Sequence, residues 1–421
     1  MRQHRTFDPA IIYYVLKCGH AFLFTLTTSV ALIFQTTEAG LSPVQLLLVG
    51  AGLQGAILVS ETPTGVVADT YGRRRSVLFG LLLVGCGTII SGSIAEFAPI
   101  VAGSIIWGVG STFISGAGEA WIADEIGIQR ANRVYLRSAQ LTKVFWVAAI
   151  PVSIGIATQD LNLPILLAGV GFFLLAAFLF FTMPETAFQP GEPAQIRESW
   201  RGLGQTLAES RSLVRGNPLL LTIFAIMAFY GMAGQGFERL WVAHFVESVT
   251  FPTVWDLEPV VWFGVVRMGA AFLSIAAVEA LRRWRVDSMN NHVAVTRTLF
   301  WINALQMLSI LGLAVSTDFV VAAACFCAAV ALAECYDPLH LAWINQNVES
   351  KVRATVISMS SQMEAFGKTA GGPLIGVFAG VFSLRSALGI AGLAILPALL
   401  FYFRAFGQGP RMAEPEAEKA S

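Results

Sequence analysis

Between apolar segments at 42–68 and 76–95 the chain reads Gly65-Val-Val-Ala-Asp69-Thr-Tyr-Gly72-Arg73-Arg74-Arg75. A bilayer-spanning helix needs about 20 apolar residues, and both flanking segments supply them. One carboxylate and three guanidinium groups are thus gathered into a turn that joins two spans. Outward from the turn the pattern repeats. Apolar segments fall at 10–34, 99–123, 138–157 and 163–183 and, beyond a polar stretch, at 218–245, 259–280, 292–315, 318–343, 354–380 and 384–404. The predicted organisation is six spans, a gap, then six spans. The first segment carries Lys17 and His20 and lacks a small-residue cleavage site, so it is predicted to be a retained span rather than a signal peptide.

Composition agrees. Of 421 residues, 55% are hydrophobic and only 13% charged, at a mean hydropathy of +0.67. A soluble protein carries roughly 25% charged residues, so a soluble enzyme, a disordered chain and a secreted disulfide scaffold are excluded. The formal net charge is zero, without the basic face that nucleic acid requires. Cys18, Cys86, Cys325, Cys327 and Cys335 lie in apolar stretches and form no CxxC pair, which predicts buried thiols rather than bridges or a metal site. His20, His244, His292 and His340 stand singly, without zinc spacing. No nucleophile–base pair or phosphate loop is visible, so neither an enzyme nor a cofactor is expected.

Positive charge sets the expected orientation. If the N-terminus is cytoplasmic, Arg2, Arg5, Arg73–Arg75, Arg130, Arg133, Arg137, Arg197, Arg201, Arg282, Arg283, Arg353 and Arg404 lie inside, and the outer loops keep only Arg385. Both termini are then cytoplasmic. In the polar stretch 184–217, Trp200, Leu203, Leu207 and Val214 recur at helical spacing, as in an amphipathic helix on the membrane surface. Residues 406–421 read as a disordered tail.

The loop 65–75, in its place between the second and third spans, resembles the signature loop of the major facilitator superfamily, with Thr70 where a basic residue is usual. Met183-Pro184-Glu185-Thr186 resembles that family's exit from the sixth span. Gly371-Gly372-Pro373 in span eleven and Pro151-Val-Ser-Ile-Gly155 in span five resemble its packing elements at moving interfaces. The resemblance covers about residues 1–405. It implies an all-α membrane protein with twelve transmembrane helices in two pseudo-symmetric six-helix bundles, 1–183 and 218–405, working by alternating access. It further implies a monomer that binds a small-molecule substrate and protons, while the short loops and bare tails suggest a bacterial inner membrane. Gly65, Asp69, Gly72, Arg73 and Asp124 would form a cytoplasmic latch. In it Arg73 pairs with Asp124, and Asp69 accepts from the N-terminus of span eleven. Export is implied by likeness to drug-exporting branches, although Ser104 stands where their coupling arginine is expected.

Charge within the membrane is costly and marks cavities or partners. Spans three, six and twelve carry none, and by the resemblance these are the lipid-facing helices. Elsewhere Glu61, His20, Arg267, Glu334 and Asp337 are the candidates for proton coupling or substrate contact, with Asp337 the preferred proton carrier. Lys17 or His20 is an alternative structural partner for Glu61. Glu119 with Lys143, and Glu364 with Lys368, are expected as ion pairs. Glu334, Asp337 and His340 are expected on one face of span ten. Aromatic residues such as Trp121, Trp241, Tyr336 and Trp343 suit either a cavity wall or an interfacial anchor. An anionic substrate held by Arg267, Lys17 or Lys368 in a proton symporter is the alternative to export.

Overall fold

The computed structural model describes residues 7–188, 218–253, 257–285, 292–348 and 350–406. The surface helix expected over 184–217 lies outside them from residue 189 onward, as does the tail from 407. Fifteen helices are present among the described residues. In the first half they are α1 (Pro9–Thr28), α2 (Ala31–Thr37), α3 (Pro43–Tyr71), α4 (Arg73–Ser93), α5 (Phe97–Ile114), α6 (Ala117–Ile126), α7 (Ile128–Ala157) and α8 (Leu163–Thr182). In the second they are α9 (Pro218–Ser248), α10 (Pro259–Arg285), α11 (His292–Val315), α12 (Phe319–Asn347), α13 (Ser350–Val381), α14 (Leu384–Leu393) and α15 (Leu396–Phe406).

Helix ends follow local chemistry. Asp8 accepts from the Ala10 N–H, and Ser42 forms a capping box with Gln45, each satisfying amides that have no partner in the first turn. Asp318 caps α12 through the Val321 N–H at 3.0 Å. Single glycines at positive φ, Gly72 (108°) and Gly127 (80°), join α3 to α4 and α6 to α7, a backbone region that L side chains rarely enter.

Taken with their continuations, eleven helical stretches among the described residues are long and apolar enough to cross a membrane. Three of them join two helices each, α1 with α2, α5 with α6 and α14 with α15. The sequence pattern predicts twelve. The difference is α13: its 32 residues suffice in length, but Glu364, Lys368 and a run of small residues keep it below that apolarity.

Backbone proximity divides the chain into two compact units, Met1–Thr206 with Val254–Val265, and Leu207–Thr253 with Val266–Ser421. In the first, α4 packs on α5 and α8, α3 on α5, and α1 on α7. The α4–α5 contact is backbone on backbone: a Cβ on Gly87 would lie 2.4 Å from the Gly103 carbonyl oxygen. Small residues let membrane helices approach this closely. The core is built on Leu16, Val84, Trp121, Phe172 and Leu179. Along α8, Leu167, Val170, Leu174, Phe178 and Phe181 are exposed, an apolar stripe of the kind a lipid-facing helix presents.

In the second unit, α9 packs on α13 and α14, and α11 on α12. Here the approach is closer still. A Cβ on Gly367 would lie 2.0 Å from the Ala228 carbonyl oxygen, and one on Gly231 2.2 Å from that of Glu364. The core gathers Tyr336, Trp343 and Tyr402, all fully buried.

Candidate functional site

The signature turn is held by charge. Arg73, the first residue of α4, donates to the Asp124 carboxylate on α6, and its guanidinium lies 3.9 Å from Asp69. The Asp69 side chain is 75% exposed, so it is not fixed by packing. Arg74 donates its backbone N–H to Glu185 at 2.8 Å, while its guanidinium donates to the Phe180 carbonyl and lies over the Phe180 ring. Glu185 thereby places a negative charge at the N-terminus of α4, where the helix dipole favours it. A Cβ on Gly72 would meet the Glu185 carboxylate at 2.9 Å, a second reason for glycine there. Gly65 lies on an exposed face of α3, where an added Cβ would meet nothing within 4 Å.

The chain leaving α8 is fastened to the same place. Glu125 on α6 accepts from the Thr186 N–H and hydroxyl, both at 2.6 Å, and from the Ala187 N–H at 3.1 Å. Trp121 donates its ring N–H to the Pro184 carbonyl at 2.7 Å. Sequence reasoning identifies 183–186 as an exit but misses Glu185 and Glu125 as the groups that anchor it. Neither carboxylate lies in an apolar run, where charge would draw notice.

Within the first unit's spans the expected pairing is corrected. Glu119 pairs with Lys17, not with Lys143. The reason is a break in span four: Gly116, at φ 69°, starts α6 anew and puts Glu119 in its first turn, facing α1. Lys143 instead lies 5.7 Å from the Trp146 ring. Tyr135 donates to the Glu119 carbonyl at 2.7 Å, and Lys17 lies 5.7 Å from the Tyr13 ring. His20 sits among rings, 6.3 Å from Phe24 and 5.6 Å from Phe172. Glu61 is exposed and makes no ion pair among the described residues; of the two structural partners expected for it, Lys17 pairs with Glu119 and His20 lies against aromatic rings. Neutralising Glu119 alone (Glu119→Gln) leaves Lys17 uncompensated. It should lower the Tm of the purified protein, at a cost of about 1 kcal/mol after discounting for partial exposure. The double change Lys17→Met/Glu119→Gln should recover most of that loss; an equal or larger loss would refute the pairing.

In the second unit Lys368 on α13 bridges two carboxylates, Glu238 of α9 at 3.2 Å and Glu364 at 3.3 Å. The i, i+4 pair is as expected; Glu238 is the addition, brought by the α9–α13 crossing. On α12, Glu334 and Asp337 are exposed, but His340 is buried. Its ring lies 3.0 Å from the Ser360 hydroxyl and 3.3 Å from that of Tyr336, which accepts from Tyr402 at 3.1 Å. His340 therefore does not share the face of the two carboxylates; at 100° per residue it falls beside Tyr336, one turn earlier. Tyr336 and His340 are one turn apart on α12, but the network escapes sequence reasoning because Ser360 and Tyr402 join it from α13 and α15.

The aromatic candidates divide toward packing. Trp121, Tyr336 and Trp343 are buried, and Trp241 stacks on Phe326 at 4.2 Å. Of the packing elements, Gly371 lies against the Met232 backbone, where a Cβ would meet Cα at 2.8 Å, and Gly372 is buried. Pro373 and Pro151 are exposed within their helices, and Gly155 has nothing within 4 Å. Close approach is thus found at Gly371 of α13 and not at Gly155 of α7. Among the described residues no group of three or more His, Cys, Asp or Glu is placed to hold a metal.

The chain is thus a helical protein with stretches fit to cross a membrane, ion pairs within them and a charge-fastened turn between α3 and α4. The Major Facilitator Superfamily model matches residues 16–286, and the chain belongs to that family. It is 21% identical to the uncharacterized MFS-type transporter YxaM of Bacillus subtilis, over 85% of this chain and 86% of that one. Among solved structures it is similar in fold to the nucleoside transporter NupG (D323A mutant; TM-score 0.77, 11% identity, 95% of this chain and 100% of that one). It is also similar to the peptide transporter POT in complex with sulfate (TM-score 0.72, 14% identity, 96% and 95%). The family and these relatives are transporters, not enzymes.

Proposed function

We propose that this protein is a proton-coupled secondary transporter that exports a small organic compound by alternating access. In this reading twelve spans form two six-helix bundles, 1–183 and 218–405, in a bacterial inner membrane, with both termini cytoplasmic and the protein acting as a monomer. The observation that carries it is the fastening of the 65–75 turn: Arg73 on Asp124 with Asp69 beside it, and Glu185 on the first amides of α4. A turn tied by removable charges suits a latch that opens and closes once per cycle. Protonatable groups at membrane depth support coupling: the Lys17–Glu119 pair, the Glu238–Lys368–Glu364 cluster, and Glu61, His20, Glu334 and Asp337. Such groups mark substrate and proton pathways. The structural neighbours carry nucleosides and peptides, which supports an organic substrate. Export rests on the sequence likeness to drug-exporting branches. Arg267, which has no carboxylate partner among the described residues, favours proton-linked uptake of an organic acid as the second reading.

The deciding experiment is growth of pump-deficient cells on a panel of chemically diverse toxic compounds. Protection by the wild-type protein, absent with Asp69→Asn at equal membrane abundance, is the expected result. Sensitisation instead of protection would reverse the direction.

A further inference from the structure

One face of α9 has a gap in it. Tyr230, Gly234 and Glu238 follow one another at helical spacing, ~18, ~24 and ~30 Å from Pro218 on a helix ~46 Å long. Between the phenol and the carboxylate, Gly234 supplies no side chain. Among the described residues a Cβ placed there would meet only the Glu238 carboxylate and the Lys368 Cε, each at 3.7 Å, so a notch stays open at side-chain depth. Its walls come from four helices of the second unit. Tyr230 is half-buried and stacks on Tyr336 of α12, with ring centroids 4.2 Å apart. Lys368 and Glu364 reach it from α13. The Gln306 amide of α11 lies beside the Tyr230 hydroxyl, and Asp337, Glu364 and Glu238 are all within electrostatic range of that hydroxyl.

The groups around the notch lack positive charge. Lys368 is shared by Glu238 at 3.2 Å and Glu364 at 3.3 Å, two carboxylates on one ammonium. Arg239 feels Glu238 at a distance, since successive side chains on a helix diverge by about 100°. The Glu238 side chain is 50% exposed, so one side of the carboxylate is open to an incoming group. Gln306 is buried, and its Oε1 is sealed from solvent without a hydrogen-bond partner, a condition that calls for an explanation. Excess carboxylate and an orphaned acceptor want the same complement, a positively charged N–H donor. An aromatic ring attracts a cation as well, whereas an anion would be repelled by the same groups. We infer that this notch is a substrate-binding point and that it takes an organic monocation, an ammonium group on an apolar body such as an arylalkylamine. The inference rests on the transport reading and names the charge of what is carried, whichever way it moves.

The test is thermal unfolding of the full-length protein in nanodiscs, at constant ionic strength, with benzylamine, benzamide or benzoate, which share a ring and differ in charge. Benzylamine should raise Tm by several degrees over its neutral and anionic counterparts. Glu238→Gln leaves Lys368 one partner in Glu364, so it should keep the unliganded Tm and lose the rise. Gly234→Val fills the notch and removes no charge; it too should hold its unliganded Tm and lose the response. Equal stabilisation by the three compounds, no response to benzylamine, or a response that survives either variant would overturn the inference. So would a fall of several degrees in unliganded Glu238→Gln, because Lys368 would then need both carboxylates. None of these results bears on whether compounds cross the membrane, which the growth panel decides separately.

Discussion

Asp69→Asn is expected to cut transport about tenfold or more while the protein inserts and unfolds as the wild type does. The two halves of that statement come from different observations. The carboxylate is 75% exposed and 3.9 Å from Arg73, whose stronger partner is Asp124. Exposed pairs contribute ~0–1 kcal/mol, so neutralising Asp69 should leave the fold within ~0.5 kcal/mol of wild type. A tenfold change in rate corresponds to about 1.4 kcal/mol, more than the fold would register. A large kinetic effect with no stability effect is what separates a latch from a brace. The comparison is flux of the compound identified by growth protection, in membranes with matched protein content. Flux near wild type would remove Asp69 from the cycle and leave Arg73–Arg75 as determinants of topology only.

The second large effect falls on stability. Gly367→Val should largely abolish folded protein, because the first added carbon already meets the Ala228 carbonyl at 2.0 Å. Overpacking by single methylenes costs ~1–3 kcal/mol. Here the obstruction is backbone, which cannot turn aside as a side chain can, so the helices must separate and take the Lys368–Glu238 contact with them. Gly155→Val is the matched control: nothing lies within 4 Å of that position, and yield and Tm should hold. Fluorescence-detected gel filtration of the solubilised variants reads both. A monodisperse Gly367→Val protein with unchanged Tm would mean that α9 and α13 are not held in this contact.

Features with a one-dimensional signature are legible in the sequence. The spans announce themselves by apolar length, the signature turn by its residues, and the Arg73–Asp124 pair by resemblance. The Glu364–Lys368 pair is readable because both partners sit one turn apart on one helix. What fails to show depends on chain crossings. Lys17 finds Glu119 only because Gly116 restarts a helix in mid-span, and glycine at a break reads the same as glycine at a contact. Gly231 and Gly367 form the closest approach in the second unit, yet the Gly/Pro run at 371–373 draws attention first. α13 shows the limit of apolar length as a signal: a helix of 32 residues that carries charges and small residues falls short of the apolarity of the other long helices.

The break at Gly116 also leaves α6 as a separate ten-residue rod, ~15 Å long. Near one end it carries Glu119, bound to Lys17; near the other it carries Asp124 and Glu125, bound to Arg73 and to residues 186–187. A short helix is stiff, so its two ends cannot be displaced independently. Whatever tilts the rod at membrane depth must also be felt where the chain emerges into water, and the reverse holds equally.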